Sequence, residues 1–195
     1  MALLNLRTLP DPVLRQKARR GSKIDDSLQK LIDDMIDTMR HAKGVGLAAN
    51  QVDMPVRLFI INSEGDPEEG EELVFINPVL SQPDGQEENE EGCLSLPGVY
   101  AAVTRAKQIH VEAYNLKGQP FSATLSGMMA RVVQHEHDHL DGVLFTDRVS
   151  AEDKLEIEPA LHECAIEFQA RRDRGEIPDD QQIFSQLAEL EQKYC

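Results

Sequence analysis

The sequence predicts an α+β fold in which antiparallel β-sheets pack around a central helix, with an additional helical tail at the C-terminus. Three observations support this class. Apolar residues recur at helical spacing between residues 28 and 39. Short runs rich in β-branched and aromatic residues are grouped between residues 56 and 124. A second helical pattern follows them, around residue 135. Because the strands precede this helix instead of alternating with helices, we expect antiparallel sheets.

The individual elements follow from periodicity and from turn residues. The first helix is predicted to begin near Asp25 or Asp26, since an aspartate accepts hydrogen bonds from the first turn. Strands are predicted at 56–61, 73–76, 99–104, 109–114 and 121–124. The acid-rich segments 63–72 and 84–91 are interpreted mainly as solvated turns. Ser150 starts a tail helix, and a last apolar stripe follows Pro178: Ile183, Phe184, Leu187, Leu190 and Tyr194.

The central helix carries the most informative motif, in which His135 and His139 are four residues apart and Glu136 follows the first histidine. A four-residue step in an α-helix places both histidines on one face, where they can bind one cation. Glu136 lies about 100° around the helix, beside the cation, where a carboxylate can accept a proton from water. The motif therefore predicts that the central helix binds a metal. Core histidines bonded to backbone carbonyls are the ordinary alternative.

A catalytic site of this kind needs a third protein ligand and an open position. The metzincin pattern would place a third histidine at position 145, where this chain has Phe145. Cys93 is one candidate, because Gly92 and Pro97 indicate a sharp backbone turn around it. A downstream acid would instead give a zinc endopeptidase, and the candidates are Asp153, Glu156, Glu158 and Glu163.

A third segment, residues 44–51, follows the first helix. Its small residues permit close approach of backbone to backbone or ligand, and Gln51 offers a neutral donor for a developing oxyanion. It is not a dinucleotide fingerprint, because the third glycine is absent and the segment leaves a helix instead of opening one.

Together the three segments resemble the peptide deformylase family, whose motifs are G-x-G-x-A-A-x-Q, E-G-C-x-S and H-E-x-D-H. Residues 44–51, 91–95 and 135–139 match them in order, and the resemblance extends over about residues 3–150. It implies that Cys93, His135 and His139 bind one ion per chain. That ion would be Fe²⁺, for which Zn²⁺, Ni²⁺ or Co²⁺ can substitute. The implied reaction releases formate from the N-formyl-methionine of nascent polypeptides.

The resemblance also implies roles for further residues. Glu136 would be the general acid and base, while Gln51 and the backbone amide of Leu94 would bind the oxyanion. The predicted substrate groove and methionine pocket consist of Gly44, Val45, Gly46, Gly98, Val99, Tyr100 and Val132. Glu91 and Arg105 are predicted to support the metal ligands from behind. Enterobacterial members carry an arginine where this chain has Tyr100, so the reaction type is implied more firmly than the substrate preference.

We predict a catalytic domain at 1–150 and a helical extension at 151–195. The net charge of -15 argues against DNA binding, since phosphate contacts need clustered lysine and arginine. No segment has the length of a signal or membrane helix, and three cysteines without a pairing pattern suit a reducing compartment, so a cytoplasmic location is expected. Arg171, Arg172 and Arg174 could contact the ribosome transiently, or simply end a helix. A non-catalytic module closed around a metal is the remaining alternative, and it would need a fourth protein ligand.

Overall fold

The structure, a computed structural model, describes residues 3–66 and 70–195. The helices are α1 (Asp26–His41), α2 (Gly127–Leu140), α3 (Ala151–Asp173) and α4 (Asp180–Tyr194). The strands are β1 (Gly46–Ala48), β2 (Leu58–Asn62), β3 (Glu72–Asp84), β4 (Glu87–Cys93), β5 (Leu96–Arg105), β6 (Gln108–Tyr114) and β7 (Pro120–Ser126). Of the acidic turn predicted at 63–72, residues 67–69 lie outside the described residues.

The strands form two antiparallel sheets, as the sequence predicts. Five strands pair in the order β1-β2-β3-β6-β7, and β4 and β5 form a separate hairpin. The five-stranded sheet is covered on both faces. Leu58 and Ile60 of β2 face α1, whereas Phe59 and Ile61 face α2. Successive strand residues point to opposite faces, so this uninterrupted apolar run places β2 between the two helices. The helix α2 is therefore central, and the α+β class is confirmed.

The helix starts agree with the capping residues in the sequence. Asp25 accepts hydrogen bonds from the backbone amides of Ser27 and Leu28 at the start of α1. Ser150 accepts one from the amide of Asp153 at the start of α3. These bonds satisfy donors that have no partner inside a helix, which explains why each helix begins there.

One strand prediction was incomplete, one strand was missed and one turn prediction was wrong. Segment 84–91 is mostly the strand β4, which pairs with β5 over most of its length. Its acidic composition hides the strand in the sequence, because most β4 side chains face solvent while its backbone pairs with β5 along one edge. The strand β3 continues beyond Asn77 and Pro78, because a register shift in its pairing with β6 absorbs the proline. The three-residue strand β1 was not predicted.

The two C-terminal helices pack against the rest of the chain. Ile157 of α3 joins an apolar cluster with Val99 and Val103 of β5. Tyr194, at the end of α4, enters the cluster beneath α1. Phe184 was predicted on the buried stripe of α4 but is 40% exposed, since Ile183 occupies the inward position beside it. Among the described residues, no helix is both long and apolar enough to cross a membrane.

Gly142 and Gly175 each follow a helix with positive φ, at 71° and 74°, but their surroundings differ. A Cβ on Gly142 would lie 2.5 Å from the carbonyl oxygen of Arg15, whereas one on Gly175 would meet nothing within 4 Å. We expect Gly175→Ala to lower the free energy of unfolding by about 1–2 kcal/mol through backbone strain. Gly142→Ala should cost about 1–3 kcal/mol more, because the backbone must also move. Urea denaturation of both variants measures this difference, and equal losses would contradict it.

Candidate metal centre and active site

Three side chains that bind transition metals converge where β4 ends beside α2. Cys93 is the last residue of β4, and His135 and His139 lie one turn apart on α2. Their ligand atoms all lie within 4.8 Å of one another. The Sγ atom of Cys93 is 3.2 Å from Nε2 of His139. Burial lowers the pKa of His139 well below its ordinary value, so this ring is neutral, the form that binds metals.

The chemistry of this donor set fits a metal ion. A thiolate and two imidazoles suit zinc and the neighbouring transition metals, and three protein ligands leave a position open. Within residues 3–66 and 70–195, the Cys, His, Asp or Glu side chains whose ligand atoms lie close together in a group of three or more are these three. The acids considered as third ligands lie on α3, where Asp153 instead bonds to Ser150 at the helix start. The arrangement therefore favours Cys93 over an acidic ligand.

Glu91 lies behind the ligands and is almost fully buried. Its Oε2 accepts hydrogen bonds from Nδ1 of His135 at 3.0 Å and from Arg105 at 2.9 Å. Its Oε1 accepts from Arg105 at 2.7 Å. Burial alone would raise the pKa of Glu91, but the contacts with His135 and Arg105 outweigh it and lower this pKa to about 2. Burial alone would lower the pKa of His135, but its contacts with Cys93 and Glu91 outweigh it and raise this pKa to about 10, so the ring without a metal is protonated. Glu91 would keep the proton on Nδ1 while a bound metal replaced the one on Nε2.

The ion-pair network extends beyond the two residues that the sequence indicated. Arg105 also donates to Asp138 at 2.7 Å, and Arg148 pairs with the same carboxylate. Arg131 donates to Oε1 of Glu91 at 2.6 Å. The sequence contained partial signals for two of these residues. Asp138 lies inside the histidine motif, and Arg131 precedes His135 by one helical turn.

Glu136 lies on α2 beside the ligands, as its position after His135 predicts. It is 4% exposed, and its Oε2 has no hydrogen-bond partner among the described residues. Burial raises the pKa of Glu136 to about 7, which suits a group that both accepts and releases a proton near neutral pH. A Cβ on Gly46 would overlap this carboxylate, so only glycine lets β1 approach it. His137 points elsewhere and contacts Arg57.

The carboxamide of Gln51 is held at both ends. Its Oε1 accepts a hydrogen bond from the backbone amide of Ala48 at 2.8 Å. Its Nε2 donates to Oγ of Ser95 at 3.0 Å and lies 3.5 Å from Sγ of Cys93. The amide cannot flip without losing these bonds, so its N–H groups face the metal ligands. Leu94 immediately follows Cys93 and contacts the segment at Gly44, where a Cβ would meet its side chain.

A cleft of about 610 Å³ opens in front of these groups. Every residue predicted for the substrate groove lines it: Gly44, Val45, Gly46, Gly98, Val99, Tyr100 and Val132. Gln51, Glu91, Cys93, Leu94, His135 and Glu136 line it too, whereas His139 and Arg105 lie behind it. Sequence reasoning missed Leu6 and Met128 on the cleft wall. Their sequence contexts carry no motif, and only the fold brings them to the cleft.

A buried carboxylate beside a cysteine and two histidines, with a fixed carboxamide facing the same cleft, defines a metal-dependent hydrolase. Known proteins identify the family. The family model for polypeptide deformylase matches residues 3–155. The chain therefore belongs to the peptide deformylase family, hydrolases that remove the formyl group from the N-terminus of nascent polypeptides.

Individual members of the family are similar to this chain in sequence and in structure over most of its length. A peptide deformylase of Rhodopirellula baltica is 41% identical over 191 residues, covering 98% of this chain and 95% of that protein. A solved plant peptide deformylase, PDF1B, matches with a TM-score of 0.83 at 38% identity, covering 92% of this chain and 97% of that one. The crystal structure from Legionella pneumophila matches with a TM-score of 0.78 at 42% identity, covering 87% and 99%.

The network around Glu91 should be costly to break. In Glu91→Gln the arginines remain buried with one negative charge fewer, so we expect the free energy of unfolding to fall by about 3–5 kcal/mol. Glu176→Gln, which removes the charge from an exposed pair with Arg174, is the control and should change little. Urea denaturation of the metal-free proteins gives both values. If the two variants lose equal stability, the buried network does not have the energetic weight assigned to it.

Proposed function

We propose that this chain deformylates N-formyl-methionyl nascent polypeptides in the cleft described above, with Cys93, His135 and His139 holding one metal ion. The observation that carries the proposal is the convergence of three separated motifs on a single cleft. When bound there, the ion would acidify water and polarise the formyl carbonyl. The side chains around it must then move one proton and bind one developing negative charge.

Glu136 is proposed as the group that moves the proton. It accepts a proton from the attacking water and delivers it to the amine nitrogen as the carbon–nitrogen bond breaks, so formate and a free amino terminus result. Its burial and its pKa of about 7 support both halves of this transfer. Since Glu136 is not one of the three converging ligands, it remains available for proton transfer.

Gln51 and the backbone amide of Leu94 are proposed to bind the oxygen that gains charge. Ala48 and Ser95 hold the carboxamide of Gln51 in place, so its donor is oriented before the substrate arrives. A donor that needs no reorientation lowers the barrier more than a mobile one. The fixed Gln51 amide and its closeness to Cys93 support this role.

The peptide is proposed to bind as an added strand between β1 and the segment Gly98-Val99-Tyr100. Among the described residues, β1 pairs with β2 alone, and residues 44–46 line the cleft. Main-chain hydrogen bonds would give affinity largely independent of the peptide sequence, as nascent chains require. Val132 and Leu94 line the apolar part of the cleft, which suits the methionine side chain.

We propose catalytic residues within 1–150 and a helical extension at 151–195. Ribosome contact through Arg171, Arg172 and Arg174 stays a prediction. All three arginines already form ion pairs within the chain: Arg171 and Arg174 with Glu176, and Arg172 with Asp180. Phosphates would have to displace these acids. The three free cysteines and a nascent-chain substrate support the proposed cytoplasmic location.

Replacing Glu136 by glutamine tests the proton-transfer role. The variant keeps the size of the side chain but cannot accept a proton, so formate release from formyl-Met-Ala-Ser should be lost while the metal content stays at one ion per chain. Glu156→Gln, on the exposed face of α3, is the matched control and should retain full activity. Near-normal turnover by Glu136→Gln would refute the mechanism. Loss of bound metal from Glu156→Gln would instead favour an acidic third ligand.

Gln51→Ala should lower kcat by about 10²–10³ through loss of a donor to the oxyanion. The variant should still bind metal, because Gln51 is not a ligand. Steady-state kinetics with the same formyl peptide, together with metal analysis, separates the two effects. A change confined to KM would show that Gln51 contributes to binding alone.

Ferrous iron is the proposed metal, with Zn²⁺, Ni²⁺ or Co²⁺ able to substitute. A thiolate ligand beside an open position makes an iron-loaded site sensitive to oxygen, which can oxidise the iron or the sulfur. Activity of the iron form should therefore decay in aerated buffer while the nickel form survives. Mass spectrometry of the peptide containing Cys93 follows the sulfur. Equal lifetimes with unmodified Cys93 would argue against a thiolate-bound ferrous site.

A further inference from the structure

Arg131 lines the cleft, and its guanidinium also forms three buried or partly buried hydrogen bonds. It lies on α2 one turn before His135, and it is 6% exposed. Its Nη1 donates to Oε1 of Glu91 at 2.6 Å and to the carbonyl oxygen of Val103 at 2.9 Å. Its Nη2 donates to the carbonyl oxygen of Glu87 at 2.7 Å. One side chain thus holds a carboxylate and two backbone carbonyls.

All three acceptors belong to the β4–β5 hairpin. Glu87 and Glu91 lie on β4, whose last residue is Cys93, and Val103 lies on β5. Arg131 itself is on the helix that carries His135 and His139. Its guanidinium therefore joins the element that supplies the sulfur ligand to the element that supplies the nitrogen ligands.

The contact with Glu91 also bears on the orientation of His135. Arg131 occupies Oε1, on the side of the carboxylate away from the histidine. Oε2 then receives Nδ1 of His135. Arg105 spans both oxygens from β5, so Glu91 is held from two elements. Without the Arg131 side chain, Glu91 keeps its bonds to Arg105 but loses the bond from α2 to its Oε1. The hairpin also loses the two bonds from Arg131 to the carbonyl oxygens of Glu87 and Val103.

We infer that Arg131 is a positioning residue for the metal centre, which fixes the separation of Cys93 from the two histidines. The inference rests on the proposed metal-binding role of those three residues. A planar guanidinium can serve three acceptors in fixed directions, whereas an ammonium on a flexible stem cannot reproduce that geometry. Lysine at this position should therefore restore the charge but only part of the positioning.

The test compares Arg131→Met, Arg131→Lys and a matched control, Arg57→Met. Arg57 also bonds to the C-terminal end of α2, through the carbonyl of Leu140, His137 and the capping residue Asp141, but it contacts none of the metal ligands. Two measurements avoid reliance on activity. Competition with a chromophoric chelator gives the zinc affinity, and the visible absorption of the cobalt-loaded protein reports the ligand geometry. Both measurements are made at a temperature well below the thermal unfolding midpoint of each variant.

Loss of a residue that supports metal ligands typically weakens metal binding about 10–100-fold, and Arg131→Met should fall in that range with altered cobalt bands. Arg131→Lys should lie between Arg131→Met and the unsubstituted chain, and Arg57→Met should bind zinc normally even if it is less stable. If Arg131→Met fails to fold, Arg131→Lys decides alone, and unchanged affinity with an unchanged spectrum overturns the inference. Equal weakening in Arg57→Met overturns it as well.

The design separates this inference from the proposed site. Cys93→Ser in the same competition assay should weaken zinc binding more than any arginine variant. If Cys93→Ser binds zinc as tightly as the unsubstituted chain, the proposed metal site itself is wrong. If Cys93→Ser loses zinc while both Arg131 variants keep it, the site stands and only the role of Arg131 is refuted.

Discussion

The buried ion-pair network around Glu91 is the interaction on which the active site depends. Glu91, on the β4–β5 hairpin, binds Arg131 and His135 of α2, while Arg105 of β5 reaches Asp138 on the same helix. Buried ion pairs often contribute little net stability, because desolvating the charges offsets their attraction. Their directional bonds are useful in another way. They fix the hairpin and the helix in one relative position, and the metal ligands come from these two elements.

Close approach of backbones is the second constraint, and glycines provide it. Gly46 of β1 packs against the carboxylate of Glu136, and Gly44 packs against Leu94 beside Cys93. A side chain at either position would displace a group proposed to take part in the reaction. The Gly-x-Gly segment therefore does more than line a groove. It lets the edge of the main sheet reach α2 and the hairpin at once, so that Gln51 faces the same cleft.

The two C-terminal helices, α3 and α4, pack against the rest of the chain. Ile157 of α3 lies in the apolar cluster of β5, next to Val99 at the cleft. The family model ends at residue 155, yet the Rhodopirellula baltica relative aligns over 98% of the chain. Most of the C-terminal helical segment is thus shared with at least one relative, and through Ile157 it packs against the hairpin that lines the cleft.

The sequence by itself determined the fold class, four helices, most strands and the groups that converge on the cleft. Those signals are local: apolar periodicity, capping residues and motifs whose spacing on one helix fixes a face. The E-G-C-x-S motif had already indicated Cys93 beside the histidines, and the structure brings the three together. Tertiary structure alone decided that acid-rich β4 is a strand and that Arg131 and Arg148 complete the network. These outcomes depend on strand pairing and on contacts between residues distant in the sequence, which no local pattern encodes.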